Sequence, residues 1–163
     1  MRANHEELIL RNPMLGACLF WQFAKAFAEY GNDEAPALPL FFAVSAMLFH
    51  KPTVDKVYRM NFDSGILKAV SERPDIIAGL QSRMEDFSTS TLHALQLAIS
   101  AQLLSREAPG DLPTFRAIEP ELPKPLRKPD SPVTEMLAAS KRFGAWFANE
   151  PFFTIQRHLM IEF

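Results

Sequence analysis

The sequence predicts a mainly α-helical, winged-helix-like fold: a single helical domain with a helix-turn-helix and a small β wing-like element. Apolar residues recur at helical spacing along most of the chain, helix caps and breakers separate the periodic segments, and strand-like patterns are confined to two short stretches, 112–118 and 159–163. A chain of 163 residues can bury one hydrophobic core. We therefore expect one domain over 1–163, made of a helical core (1–106), a proline-rich wing or crossing segment (107–130) and a C-terminal helix with a short strand (131–163).

The first two helices are predicted by their caps and their hydrophobicity. Asn12 and Pro13 form a strong helix start, since Asn accepts hydrogen bonds from free N–H groups and Pro at the first helical position removes a donor that lacks a partner. Apolar residues then recur at helical spacing as far as Tyr30, and Gly31 suits a helix end. Residues 38–49 carry no charge and no polar face, so we expect a central helix that neighbours cover on most sides.

The middle of the chain predicts two short helical segments, over 53–60 and 63–71, and then a pair of longer helices. The pair covers 76–87 and 90–105, with Ser88–Thr91 between them. These four hydroxyl residues compete with helical backbone bonding and suit a turn followed by a cap. The alternative is one unbroken helix.

The prolines are unevenly placed along the chain. Seven of the 13 lie between Pro109 and Pro132, a density that excludes helix and central strand. Within this segment, residues 112–118 predict an edge strand and residues 119–128 an extended crossing segment. Three further elements are predicted after it: a helix over 131–149, a helical turn from Pro151 and a strand over 159–163.

Composition and charge exclude several classes of protein. The net charge of −2 and the pI of about 6.1 exclude a domain that holds nucleic acid mainly through overall positive charge. The single cysteine, Cys18, cannot form an internal disulfide, which favours a reducing compartment. The N-terminus lacks the pattern of a signal peptide, and no uncharged stretch is long enough to cross a bilayer. We expect a cytoplasmic protein without membrane contact.

The helix-turn-helix pattern raises the question of DNA binding, because the second helix of such a motif enters the major groove. Residues 90–103 contain no Lys or Arg, and only Gln96 and Gln102 could read a base. A structural or protein-binding role is therefore favoured for this helix. A small winged-helix DNA-binding regulator is the alternative function.

The basic residues gather elsewhere, in the proline-rich segment and on the last long helix. If these two elements lie side by side, five residues form a candidate phosphate-contacting patch, called the basic patch below: Lys124, Arg127, Lys128, Lys141 and Arg142. The alternative is a solvated face that Asp130 and Glu135 neutralise. Nucleic acid would then be contacted only indirectly or weakly.

Catalytic patterns are missing from the sequence. The four histidines show no HxxxH or HExxH spacing, and Cys18 lies in an apolar helix, where a free cysteine usually behaves as a small hydrophobe. No phosphate-binding, dinucleotide-binding or nucleophile-elbow motif is present. We expect no enzyme activity, no catalytic, cofactor-binding or metal-ligating residue, no cofactor and no small-molecule substrate. The 14 Phe exceed what we expect one core to hide, which predicts a partner-binding patch.

The order of the segments resembles the middle component of bacterial three-component ABC-ATPase systems. The resemblance spans nearly the whole chain and rests on these pieces in order: Asn12-Pro13, Leu38-Pro39-Leu40-Phe41-Phe42, Leu48-Phe49-His50-Lys51-Pro52-Thr53, Ser64-Gly65-Ile66-Leu67, Ala98-Ile99-Ser100-Ala101-Gln102-Leu103-Leu104, Leu122-Pro123-Lys124-Pro125, Gly144-Ala145-Trp146-Phe147-Ala148 and Leu159-Met160-Ile161-Glu162-Phe163. One departure is Gln102, where the resemblance leads us to expect Gly before the Leu-Leu pair.

The resemblance implies an accessory subunit rather than an enzyme. Members of such systems accompany an SMC/Rad50-like ABC ATPase in gene neighbourhoods linked to defence against phages and plasmids. The middle component would bridge that ATPase and a third component, as winged-helix and kleisin-like subunits do in related complexes. No catalytic residues carry over. The segment His50, Lys51, Pro52 and Thr53 matches the family pattern and is assigned a helix-ending role or an interface.

Overall fold

The structure is a computed structural model, and it describes residues 12–118 and 131–163. Within these residues the chain forms eight α-helices, one 3₁₀ turn and two strands, in this order: α1 (Pro13–Tyr30), α2 (Leu38–Leu48), α3 (Lys51–Val57), α4 (Gly65–Glu72), the 3₁₀ turn Pro74–Ile76, α5 (Leu80–Asp86), α6 (Ser88–Ser100), β1 (Leu104–Glu107), β2 (Thr114–Ala117), α7 (Ser131–Ala148) and α8 (Phe152–Leu159). The prediction of a mainly helical fold with a small β element is confirmed.

Several predicted boundaries are wrong. The segment expected over 53–60 is α3, over Lys51–Val57, and the helix expected over 76–87 begins only at Leu80, after the 3₁₀ turn. The helix expected to reach residue 105 ends at Ser100, and the chain then turns into β1 at Leu104. The strand expected over residues 159–163 is absent: Leu159 is the last residue of α8, and Met160 follows with a left-handed φ of 55°. The N–H of Ile161 donates to the carbonyl of Gln156 at 3.1 Å and closes the helix end. The chain therefore turns back instead of extending.

Helix α1 begins as its sequence predicts and lies in the centre of the molecule. The side chain of Asn12 accepts a hydrogen bond from the N–H of Met14 at 2.9 Å, with Pro13 at the first helical position. Nine of the residues of α1 are buried, among them Trp21 and Phe23. A helix buried on this scale is stabilised by its neighbours, because most helical stability in proteins comes from tertiary packing.

The pair α1–α7 is packed so closely that its contact leaves no room for a methyl group. A Cβ on Gly144 would lie 2.5 Å from the carbonyl oxygen of Phe23 and 2.7 Å from the Cβ of Ala26. One turn earlier in α7, the buried hydroxyl of Ser140 donates to the carbonyl oxygen of Leu19 at 2.6 Å. The glycine and the small polar residue allow the two backbones to approach each other.

Phe41 of α2 lies at the centre of the core. Its ring makes edge-to-face contacts with Phe20, Phe23 and Phe115, with ring centroids 5.3 Å apart in each pair. These contacts join α1, α2 and β2, and edge-to-face pairs add to the stability that burial provides. The prediction that residues 38–49 form a central helix agrees with this placement, since eight residues of α2 are buried.

The two-stranded antiparallel sheet packs on this core through one face of β2. Ser105 lies opposite Arg116, and Phe115 is 5 % exposed. The N–H of Leu38 donates to the carbonyl of Pro113 at 2.9 Å, and the N–H of Phe115 donates to that of Pro36 at 3.1 Å. The start of α2 and the sheet are thereby held together. The predicted strand over 112–118 is thus β2, and residues 119–130 of the crossing segment lie outside the described residues.

Candidate interaction surface

Helices α5 and α6 follow each other with one residue, Phe87, between them. The turn predicted at Ser88–Thr91 is wrong, because these residues form the first turn of α6. Their hydroxyls bond to carbonyls of the preceding turn: Ser88 to Glu85 at 2.8 Å and Thr91 to Phe87 at 2.9 Å. Such bonds are compatible with a helix when the acceptor lies three or four residues earlier. The sequence therefore correctly indicated two helices but placed the break too late.

The exposed face of α6 carries apolar side chains. Leu92 is 48 % exposed and Ile99 is 38 % exposed, with the exposed polar residues His93 and Gln96 on the same helix. Helix α6 contains no Lys or Arg. A face of this kind suits a protein surface better than a phosphate backbone, which cationic side chains contact.

The end of α6 places Gln102 in a conformation that favours glycine. Its φ is 60°, and the N–H of Leu103 donates to the carbonyl of Ala98 at 2.8 Å while that of Gln102 donates to Ile99 at 3.1 Å. These two bonds define a Schellman motif, whose left-handed residue is usually Gly. Gln102, where the resemblance leads us to expect Gly, therefore lies at a backbone position that is strained for a residue with a side chain.

An open groove of about 320 Å³ lies beside α5 and is called the α5 groove below. Its apolar lining comes from the start of α2, from α5 and from the end of the chain: Leu38, Pro39, Phe42, Met84 and Phe163. Its polar lining consists of Gln81, Glu85, Ser88 and Glu162. Among the described residues, two charged side chains line the groove, those of Glu85 and Glu162. Both are acidic and both are exposed.

Gln81 fixes the C-terminal wall of the groove. Its side-chain amide accepts from the N–H of Glu162 at 2.9 Å and donates to the carbonyl of Glu162 at 3.2 Å. A side-chain amide satisfies both backbone groups of one residue in this way. Sequence analysis missed this role, because Gln81 and Glu162 are 81 residues apart and no local pattern links them.

The predicted interface segment over His50, Lys51, Pro52 and Thr53 begins α3. His50 precedes the helix, and its Nδ1 lies 2.7 Å from the hydroxyl oxygen of Thr53, which is fully buried. Lys51 is exposed and its Nζ lies 3.0 Å from Asp55. Burial lowers the pKa of His50, and the nearby Arg83 lowers it further. The segment therefore orders a helix start, and Lys51 is its exposed charge.

Arg83 of α5 donates to three backbone carbonyls in two parts of the chain, and sequence analysis did not single it out. Its guanidinium donates to the carbonyls of Ala78 at 2.7 Å, of Ile76 at 2.9 Å and of Ala46 at 3.4 Å. Ala46 lies in the last turn of α2, where carbonyls lack helical partners. No local pattern around Arg83 in the sequence indicates that its side chain bonds to distant backbone carbonyls.

The basic patch is described in part. Lys124, Arg127 and Lys128 lie outside the described residues, so the structure brings only Lys141 and Arg142 of the patch into view.

Both described members of the patch contact the ring of Phe62. The Nζ of Lys141 lies 5.8 Å from its centroid, and the guanidinium carbon of Arg142 lies 4.5 Å from it. The guanidinium of Arg142 also donates to the carbonyls of Met60 at 2.6 Å and of Ala138 at 2.9 Å. These contacts tie α7 to the segment between α3 and α4.

The remaining candidate for chemistry, Cys18, lies in the hydrophobic core. Cys18 is 4 % exposed, and burial raises the pKa of its thiol to about 11. Over residues 12–118 and 131–163, no group of three or more His, Cys, Asp or Glu side chains could hold a metal ion. In the same part of the chain, no helix is long and apolar enough to cross a membrane.

Comparison with known protein families agrees with the resemblance that the sequence motifs suggest. The family profile described as the ABC-three component system Middle Component 3 matches residues 1–163. The chain belongs to this family. Neither the curated proteins nor the solved structures compared with the chain gave a match. Membership makes the chain a middle component of an ABC-three component system, which is consistent with an accessory subunit.

Proposed function

We propose that this middle component is a non-catalytic adaptor that bridges an SMC/Rad50-like ABC ATPase and a third component protein in a bacterial defence complex directed against phages or plasmids. The observation that carries the proposal is the match to the middle-component family over the whole chain. A middle component of a three-component system has two other components to contact, and an adaptor needs surface rather than a catalytic centre. We place this complex in the cytoplasm.

The surface described above supports a role in protein binding. Three large apolar side chains lie exposed near the end of the chain: Phe153 at 66 %, Met160 at 76 % and Phe163 at 41 %. Leu92 and Ile99 add apolar area on α6. Scattered exposed hydrophobic residues are normal, but aromatic and methionine side chains are enriched where proteins bind each other.

Two predicted sites belong to the proposal. The exposed Lys51 at the start of α3 would contribute a charge to an interface, while Thr53 holds the helix start behind it. The basic patch would contact phosphate groups only if nucleic acid passes over the complex. A DNA-binding regulator gains no support from α6, whose exposed face carries Leu92 and Ile99 and whose sequence has no cation.

Co-purification tests the proposal. The tagged chain is expressed together with the ATPase and the third component of its system, and each partner is omitted in turn. We expect the chain to retain each partner in the absence of the other. A chain that elutes as a monomer indifferent to both would contradict the adaptor role. Salt-sensitive binding of duplex DNA by the isolated chain, lost when Lys124, Arg127 and Lys128 are changed to Ala, would instead support the regulator.

A further inference from the structure

We propose that the α5 groove binds a basic amphipathic segment of a partner protein. Apolar side chains of that segment enter the groove, and its Lys or Arg side chains lie against Glu85 and Glu162. The inference rests on the proposed adaptor function and deepens it, because it states the chemistry of one of the partner contacts.

The floor of the groove selects apolar side chains. Leu38, Pro39 and Phe42 lie half-buried at the start of α2, and Phe163, 41 % exposed, forms the opposite side. The groove is open, so it admits side chains of a segment that lies across it rather than enclosing a whole small molecule. A helix laid on such a groove presents apolar residues at spacings of three and four, which is a common mode of peptide recognition.

The rim of the groove selects positive charge. Glu85 and Glu162 are exposed on the rim, and the exposed Asp86 follows Glu85 in the chain. An acidic partner would place like charges together, whereas a basic one gains charge complementarity. A second copy of this chain is disfavoured for the same reason, because a two-fold interface would bring the two sets of carboxylates face to face.

The groove is held in shape before a partner arrives. Gln81 binds both backbone groups of Glu162 and so fixes the wall that carries Phe163, whose ring packs 4.8 Å from that of Phe152. A preformed wall lowers the entropic cost of binding. The apolar surface also continues along α6, since Leu92 lies one turn beyond Ser88 on the same helix face.

A matched pair of synthetic peptides tests the proposal. Both are amphipathic peptides of about 18 residues, or about five helical turns, with the same Leu face. One carries Lys on its polar face and the other carries Glu. We expect the Lys peptide to bind the full chain at low salt at least about tenfold more tightly than the Glu peptide, and to shift the Met84 methyl resonance in an NMR titration.

Charge reversal in the chain is the second test of the proposal. The double variant Glu85→Lys with Glu162→Lys should weaken binding of the Lys peptide about tenfold and reverse the preference between the peptides. The control is Glu29→Lys with Asp63→Lys, which makes the same change in net charge at exposed acids that do not line the groove. It should leave the affinity within about twofold.

Several results would overturn the proposal: equal binding of the two peptides, no binding of either, no effect of the double reversal, or an unshifted Met84 methyl. Self-association of the chain that Phe163→Ser abolishes would assign the groove to a second copy instead. Co-purification of the double-reversal variant with the ATPase and with the third component distinguishes this inference from the adaptor function. Normal complexes of the double-reversal variant would refute the groove alone, whereas peptide binding without either complex would refute the adaptor function and leave the groove chemistry standing.

Discussion

The two sides of this molecule are stabilised by different kinds of contact. The pair α1–α7 is joined by close backbone approach at Gly144 and by the buried Ser140 hydroxyl. On the α5–α6 side, α6 packs closely on α1 as well, and the guanidinium of Arg83 in addition bonds α5 to backbone carbonyls. This side also contains a strained residue, Gln102, and exposes Leu92. Both sides are closely packed against α1, and the α5–α6 side in addition keeps apolar surface exposed.

The difference separates stability from function. A contact that tolerates no added methyl group has no space for a further group, so the α1–α7 pair serves as the scaffold. On the α5–α6 side, backbone strain and exposed apolar side chains slightly destabilise the fold. Proteins retain such unfavourable features at surfaces that have a function. Substitutions on the two sides should therefore differ in size and in kind.

The largest effect is expected at Gly144. Gly144→Ala places a methyl group 2.5 Å from the Phe23 carbonyl oxygen, so the helices must separate and the free energy of unfolding should fall by about 2–3 kcal/mol. Urea unfolding followed by circular dichroism measures it. Gly110→Ala is the control, because a Cβ there meets nothing within 4 Å and should change stability by less than about 0.5 kcal/mol. Equal effects at the two glycines would contradict the close packing of α1 and α7.

The next effect is expected at Arg83 on the opposite side. Arg83→Met keeps much of the side-chain volume but removes the donors to Ile76, Ala78 and Ala46, so unfolding should become easier by about 2 kcal/mol. The matched variant Arg106→Met changes an exposed arginine of β1 and should lie within about 0.5 kcal/mol of wild type. If both variants unfold alike, backbone bonding by Arg83 does not stabilise the α5 side.

A smaller effect of opposite sign is expected at Gln102. Gln102→Gly removes the strain of a left-handed residue with a side chain and should raise stability by about 1 kcal/mol. Gln102→Ala keeps that strain and should not stabilise. Thermal unfolding of the three proteins gives the comparison, and a destabilised glycine variant would show that the residue is not strained.

The smallest effect concerns the pH dependence contributed by His50. Because the folded protein lowers the pKa of His50, the unfolded chain binds this proton more readily, and stability falls as the pH drops below about 6.5. His50→Asn should lose this part of the pH dependence, which unfolding experiments at pH 7.5 and pH 5.5 detect as a difference between the two proteins. An identical loss of stability in both would remove His50 as a cause.

Local patterns in the sequence predicted the parts of the fold that local chemistry determines. Asn12 and Pro13 start α1 as expected, and the uncharged segment after Pro36 forms the central helix. The errors arise at helix starts and ends, where the same local pattern is compatible with more than one boundary. The hydroxyls of Ser88 and Thr91 bond within the helix that they were expected to interrupt, and the left-handed Gln102 ends α6 before the expected position.

The candidate surface was less predictable than the fold. The excess of Phe indicated a partner-binding patch but not its place, because burial of an aromatic ring depends on contacts between distant segments. The groove arises where residues 38 and 163 meet beside α5, and its wall depends on a bond between Gln81 and Glu162. No periodicity or motif in a single sequence reports such a contact.

The central claim is that this middle component links the other two components of its system. The most direct measurement is the mass of the assemblies formed by the purified ATPase, the purified third component and the chain, mixed in pairs and all together, by light scattering after size exclusion. We predict a complex of all three proteins that requires the chain, together with separate complexes of the chain with each partner. An ATPase and a third component that assemble equally well without the chain would contradict the bridging role.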